Sequence, residues 1–255
     1  MKSGPWRIDV VEETGSTNAD LLARAAAGEE IDGAVLIAES QTSGRGRNGR
    51  SWSTPPGSQI ALSAGVGVGD VPSAAWGWLP LLAGVAVVDA VAEVTGISAG
   101  LKWPNDVLAG DGKLAGILAE VAAPAPVVVV GIGLNVTEAP DPVATSLSLL
   151  GATVDRTVLT EALLRHLAAR IDGWRAARGP DEGLAADYRS RSVTIGNRVR
   201  ASLPGDRAVD GVAVDVDELG RLRIDRGDQR TRGAEEARVV TVSAGDITHL
   251  RAAAP

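Results

Sequence analysis

The chain has 255 residues, 45 % of them hydrophobic and 22 % charged, with no cysteine, two histidines and a formal net charge of −7. That length builds one large domain, or a medium and a small one, and the composition is that of an ordinary globular protein. The missing cysteines exclude thiolate nucleophiles, redox pairs and Cys/His zinc sites, two histidines make a His-dependent hydrolase improbable, and the acidic balance argues against general nucleic-acid binding.

Charge is unevenly spread. Residues 191–255 carry 11 Arg against 10 Asp and Glu, and Arg45, Arg47 and Arg50 form a local positive island. Only three cations are Lys (Lys2, Lys102, Lys113) against 22 Arg, which marks a Lys beside a glycine turn. No signal-peptide core follows Met1. The uncharged stretch 71–88 contains Pro72, Gly77, Pro80 and Gly84 and reads as a buried helix, not a membrane span.

In chain order, residues 8–13 read as a strand. Ser16-Thr17-Asn18 opens a helix to about residue 27, with Thr17 and Asp20 at capping spacing. Residues 34–39 form a second strand, and 40–58 a long polar loop rich in Gly, Arg, Ser and Pro. A strand follows at 59–66, then a helix at 79–94 with Pro80 in its first turn. Strands at 101–103, 107–108 and 114–121 surround a turn at 110–112, and four valines at 127–130 mark a buried strand. Leu159, Leu163, Leu167, Ile171 and Trp174 make one apolar stripe along a helix over about 157–178. After Gly179-Pro180 the texture changes. Short β-like runs at 198–203, 209–216, 221–224, 239–242 and 247–250 define a small all-β module, with the boundary near 189–193.

Gly44-Arg45-Gly46-Arg47-Asn48-Gly49 fits G-x-G-x-x-G, but no helix can open at Ser51 and no acid follows about 20 residues on, so it is not a dinucleotide fingerprint. Glycines that let the backbone approach, with arginines between them, suit an anion clamp; the plain alternative is a flexible basic loop. Lys102-Trp103-Pro104-Asn105-Asp106 leads to Lys113-Leu114-Ala115-Gly116. Lys113 either reaches a bound anion or is a hairpin-edge Lys, and Trp103 is either part of a site or simple core. Ser16-Thr17-Asn18 either caps its helix or offers hydroxyls and a helix N-terminus to a small ligand. Asn135, at the end of Gly131-Ile132-Gly133-Leu134-Asn135, is a ligand or metal contact, or a strand end. No Walker lysine is present, and His166 and His249 receive no role.

Together, in this order and spacing, Ser16-Thr17-Asn18, GRGRNGRSW (44–52), KWPNDV (102–107), GDGKLAGIL (110–118), GIGLNV (131–136) and the C-terminal VSAGDITHL resemble the biotin–protein ligase family over almost the whole chain. The resemblance implies an α+β fold: a mixed α/β, SH2-like catalytic domain over residues 1–190, then a small C-terminal SH3-like β-barrel over 191–255. It implies a two-step ligase reaction. Biotin and ATP, with Mg²⁺, form biotinyl-5′-AMP and pyrophosphate, and biotin then passes to a lysine of a biotin carboxyl carrier domain. The first nucleophile is an ionised carboxylate, so no His or Cys is needed, only positive charge at the phosphates and exclusion of water.

Carried over on the matching motifs, Lys113, Arg45 and Asp106 are the implied catalytic residues. Ser16, Thr17, Asn18, Gln41, Gly44, Arg45, Lys113 and Gly116 are the implied biotin contacts. Arg47, Arg50, Trp52 and Asn135 are the implied nucleotide contacts, and Asn135 is also the implied metal contact. Residues 43–52 are expected to order around the adenylate. Asn48 departs from the basic or His residue of many relatives, Phe is absent, and residues 139–149 offer only small and aliphatic side chains to the adenine. About seven residues precede the first strand, so the helix-turn-helix of some members is expected to be absent, with no specific nucleic acid, no membrane, no tightly bound cofactor and a cytoplasmic location. The rival readings are a lipoate ligase or octanoyl transferase on the same sheet, a non-enzymatic ligand-binding regulator, and an interaction module built on the β domain.

Overall fold

The computed structural model describes residues 5–52, 55–124, 126–139, 142–203, 207–227, 238–243 and 246–249. Strand β1 (Arg7–Thr14), helix α1 (Thr17–Ala26) and strand β2 (Ala34–Gln41) form a crossover unit in which β1 and β2 run parallel. The other neighbours in the sheet pair antiparallel: β3 (Gln59–Gly67), β4 (Gly100–Lys102), β5 (Asp106–Ala109), β6 (Gly112–Ala122) and β7 (Val127–Asn135). The order is β1-β2-β3-β7-β6-β5-β4.

The valine run is apolar throughout because both faces of β7 are covered. Val128 and Val130 join the main core with α2 (Leu79–Thr95) and α3 (Arg156–Ala176). Val127 and Val129 join Leu21 and Ala25 of α1 on the other face. Pro80 sits in the first turn of α2, and Gly96 ends it in the left-handed conformation at φ 72°. The apolar stretch 71–88 is therefore core, entered through a 3-10 segment (Ser73–Trp78) absent from the sequence reading. The stripe from Leu159 to Trp174 is buried as expected.

Two local expectations are corrected. The cap of α1 is Ser16, whose hydroxyl accepts from Ala19 N, and not Thr17; Asp20 instead accepts from the Thr14 hydroxyl. A further helix, α4 (Glu182–Arg191), is capped by Asp181 and was not foreseen. It docks through Leu184 and Tyr188 and through an ion-pair ring: Arg170 to Asp89 at 2.7 Å and to Asp187, and Arg191 to Asp89 and to Asp187, both at 2.9 Å. Burial pushes the Asp187 carboxyl up, but Arg191 and Arg170 outweigh it and hold the group below its ordinary 3.8. A folded value below the unfolded one gives stability that is complete above pH 3.8 and is lost as pH falls through the folded value. Asp187→Asn is accordingly expected to lower the melting temperature at pH 7 and to flatten its fall below pH 3.8, as read by calorimetry across pH.

The C-terminal part is a five-stranded antiparallel sheet of order β11-β10-β9-β8-β12, the small SH3-like module. Its strands are β8 (Arg198–Leu203), β9 (Arg207–Val216), β10 (Leu222–Asp225), β11 (Val239–Val242) and β12 (Asp246–His249). The strand expected at 247–250 ends on Leu250, which lies outside the described residues. The β9–β10 turn docks on the N-terminal part, beside β4 and at the start of α2. Trp103 Nε1 donates to Gly220 O at 2.9 Å and Trp78 Nε1 to Asp217 O at 3.1 Å.

Candidate active site

The face of the sheet that carries α1 is covered only at the Val127 end. Beyond it the strands carry Gly131 and Gly133 on β7 and Gly116 on β6, paired with Gly133. Glycine removes the side-chain layer there and lowers the floor, leaving a cleft of about 690 Å³. Ser16, Thr17, Asn18, Gln41 and Gly116 line it, as do Lys113, Asp106 and Asn135. The loop contributes Arg45, Arg47, Arg50 and Trp52. Gly44 stands behind this lining. A Cβ there would fall 2.3 Å from Trp52 O and 3.1 Å from Gln41 Nε2, so its part is to let the loop close on itself.

The 40–58 segment is more structured than a plain loop. Arg45 bridges Ser51, Trp52 N donates to Gly44 O and Gly46 N to Arg50 O, both at 2.7 Å, and Arg47–Gly49 is a 3-10 turn. Asn48 (φ 56°) and Gly49 (φ 73°) supply the left-handed corner, a conformation Asn tolerates better than other side chains. The hairpin lies over the cleft. Trp52 Nε1 donates to Gln59 Oε1 at 2.9 Å, and its ring lies on the glycine floor. A Cβ on Gly133 would sit 2.4 Å from Trp52 Cε2, and one on Gly116 3.0 Å from Cζ3.

Lys113, second residue of β6, projects into the cleft. Its Nζ is 2.6 Å from Asp106 Oδ1 and 5.3 Å from the Trp52 ring centroid, within cation–π range. Arg47 donates to Asn105 Oδ1 at 3.2 Å, and Asn105 is fixed in turn by its Nδ2 bond to Ile117 O at 2.8 Å. The two Lys that the composition singles out and the structure describes, Lys102 and Lys113, thus both line one cleft. At the far end the β12 residues Ile247 and Thr248 complete the wall. Next along β12, burial and then the charge of Lys102 push the His249 imidazole below its ordinary value.

The α1 end is a polar chain. Gln41 Oε1 accepts from Thr17 N at 3.0 Å, Ser63 Oγ is 2.7 Å from Thr17 Oγ1 and donates to Asn18 Oδ1 at 2.6 Å, and Asn18 Nδ2 donates to Glu120 Oε2 at 2.8 Å. Ser63, Glu120 and Gln59 are the members that sequence reasoning missed, whereas Asn105, read from the sequence with Asp106 as a turn or a polar ligand pair, does line the cleft. An acid in the apolar run of β6 was the signal for Glu120. Asn135 is fully buried, its Nδ2 donating to Lys113 O and Thr145 O, while its Oδ1 has no hydrogen-bond partner among the described residues. No group of three or more His, Cys, Asp or Glu able to hold a metal occurs among the described residues.

A glycine-floored cleft with fixed cations, a lid tryptophan and a polar end pocket is built to take an anionic ligand with a polar head, as an acyl-adenylating ligase does. Residues 11–136 match the biotin/lipoate A/B protein ligase family and residues 194–250 the biotin protein ligase C-terminal domain. The chain belongs to the biotin–protein ligase family: it is 59 % identical over 254 residues to the biotin–[acetyl-CoA-carboxylase] ligase of Mycobacterium tuberculosis, covering 96 % of this chain and 90 % of that protein. It is 32 % identical to the bifunctional ligase/repressor of Escherichia coli, covering 86 % of this chain and 69 % of that protein. Among solved structures, the biotin protein ligase from Aquifex aeolicus in complex with biotin and ATP superposes with a TM-score of 0.79 at 26 % identity, over 96 % of this chain and 99 % of that one.

The hairpin of residues 43–52 makes few contacts before Trp52 other than its own backbone bonds and the side-chain bonds of its arginines. Its amides are expected to exchange at least about tenfold more slowly with biotin and ATP bound than without, read by hydrogen exchange. Equal exchange in both states would remove the lid role.

Proposed function

We propose that the chain is a biotin–protein ligase acting in the cytoplasm. It activates biotin with ATP to biotinyl-5′-AMP, releasing pyrophosphate, and transfers biotin to a lysine of a biotin carboxyl carrier domain. Residues 1–190 form the catalytic domain and 191–255 the C-terminal domain. The observation that carries this reading is Lys113 paired with Asp106 on the glycine floor, under the arginine hairpin.

In the first step a biotin carboxylate oxygen bonds to the α-phosphorus, and the bond from that phosphorus to the bridging oxygen breaks, the electron pair leaving with pyrophosphate. Ser16, Thr17, Asn18 and Gln41, with the backbone at Gly116, hold the ureido ring, and Gly44 acts behind them by letting the loop close. Lys113 places its ammonium between carboxylate and α-phosphate and offsets the charge that builds there. Arg45, Arg47 and Arg50 face the phosphates. Trp52 covers the anhydride and excludes water. Mg²⁺ arrives with ATP. The unpartnered Oδ1 of Asn135 is the neutral oxygen such a hard cation accepts, and bound there the ion would neutralise phosphate charge.

In the second step the acceptor amine bonds to the acyl carbon, the bond from that carbon to the phosphate oxygen breaks, and AMP departs. Asp106 stands beside Lys113 to take the proton that the amine gives up. The adenine meets the aliphatic Val143 and Ala144, Ala144 being bridged to Lys113.

Mass spectrometry of a carboxyl carrier domain incubated with the protein, ATP, and either biotin or lipoate tests this reading. Biotin on a single lysine is expected. Lipoylation alone would move the protein to the sister branch of the family.

A further inference from the structure

Glu120 lies in β6 outside the cleft lining, yet one of its oxygens touches two lining residues, one on α1 and one in the arginine hairpin. Its Oε2 accepts from Asn18 Nδ2 at 2.8 Å and from Arg45 Nη2 at 3.3 Å. A carboxylate only accepts. Asn18 must therefore turn its NH₂ toward Glu120 and its Oδ1 toward Ser63, which is fully buried. Ser63 donates to Asn18 Oδ1 and lies 2.7 Å from the Thr17 hydroxyl, which itself donates to Gln41 Oε1 at 3.2 Å. Glu120, with Leu118 O, which accepts from the same Asn18 Nδ2 at 3.2 Å, thus sets which way the Asn18 amide faces and, through it, where Ser63 donates. Gly131 leaves the space this needs, since a Cβ there would fall 2.2 Å from Asn18 Oδ1. At the same time Glu120 holds Arg45 by a single nitrogen, so the rest of that guanidinium can face the cleft.

We propose that Glu120 is a positioning residue that ties the polar end pocket to the arginine hairpin, so that it governs retention of the adenylate more than binding of biotin alone. The proposal rests on the ligase reading above. Biotin alone meets only the Asn18 side, where a glutamine carbonyl can replace the carboxylate oxygen. The adenylate adds a phosphate that needs Arg45 held in place.

The test is the dissociation rate of biotinyl-5′-AMP and the Kd of biotin in wild type, Glu120→Gln, Arg45→Gln and the double variant. Glu120→Gln is expected to release the adenylate about tenfold faster, with biotin Kd changed less than about threefold, and to add nothing in the Arg45→Gln background. Glu120→Asp, which keeps the charge one methylene back, is expected to fall between and guards against a folding defect. Equal losses for biotin and adenylate, or losses that add fully across the double variant, would overturn the coupling while leaving the ligase reading intact. A wild-type protein that retains no biotinyl-5′-AMP would overturn that reading and the proposal with it.

Discussion

Lys113→Ala is expected to abolish biotin-dependent pyrophosphate release, by about 10²–10³-fold or more, while leaving the fold intact. The β6 backbone at this position is held by Lys113 N to Val143 O and Thr145 N to Lys113 O, bonds that the substitution does not touch. The side chain is 31 % exposed and its ammonium reaches only into the cleft, to Asp106 and the Trp52 face. Removing it costs little packing but leaves the carboxylate and the α-phosphate without the cation between them. A melting temperature close to wild type with no pyrophosphate release is therefore the predicted pair of readings. Near wild-type release would show that Lys113 does not stand between the reacting groups.

Gly133→Ala is expected to lower adenylate formation roughly 10- to 100-fold through a single methyl group. The added Cβ would lie 2.4 Å from Trp52 Cε2, with Trp52 Nε1 pinned to Gln59. Either the indole leaves its seat or β7 shifts between β3 and β6, and the indole is the softer of the two. The hairpin that carries the arginines then loses its apolar anchor. In a Trp52→Ala background the same substitution is expected to have little further effect, because the clash is gone. Stopped-flow or radiolabel measurement of adenylate formation in the four proteins checks this. An undiminished rate in Gly133→Ala would mean that the ring need not lie on the floor.

Much of this site was legible before the structure because its parts are backbone features with a sequence signature. Glycines at 116, 131 and 133 cannot be explained by strand propensity, and arginines between glycines cannot be explained by a core. The apolar stripe of α3 and the valine run of β7 were equally plain, since each buries what its periodicity says. Helix α4 was not, because only Leu184 and Tyr188 of its ten residues are buried, too thin a pattern to rise above its polar surroundings. The cap of α1 was misplaced by one residue because Ser16 and Thr17 both suit the role, and only the bond from Ala19 N to the Ser16 hydroxyl decides between them. Ser63 and Glu120 were overlooked for a different reason. A single polar residue within a strand reads as its solvent-facing position, and only the pairing register brings both to the face that holds the cleft.

The central claim, that the cleft adenylates biotin, is tested most directly by pyrophosphate release from ATP and Mg²⁺ with biotin added and no acceptor protein present. A biotin-dependent burst of about one pyrophosphate per protein is predicted, because the adenylate has nowhere to go beneath the closed hairpin. No release, with biotin still raising the melting temperature, would contradict the account and make the chain a binding protein on a ligase fold.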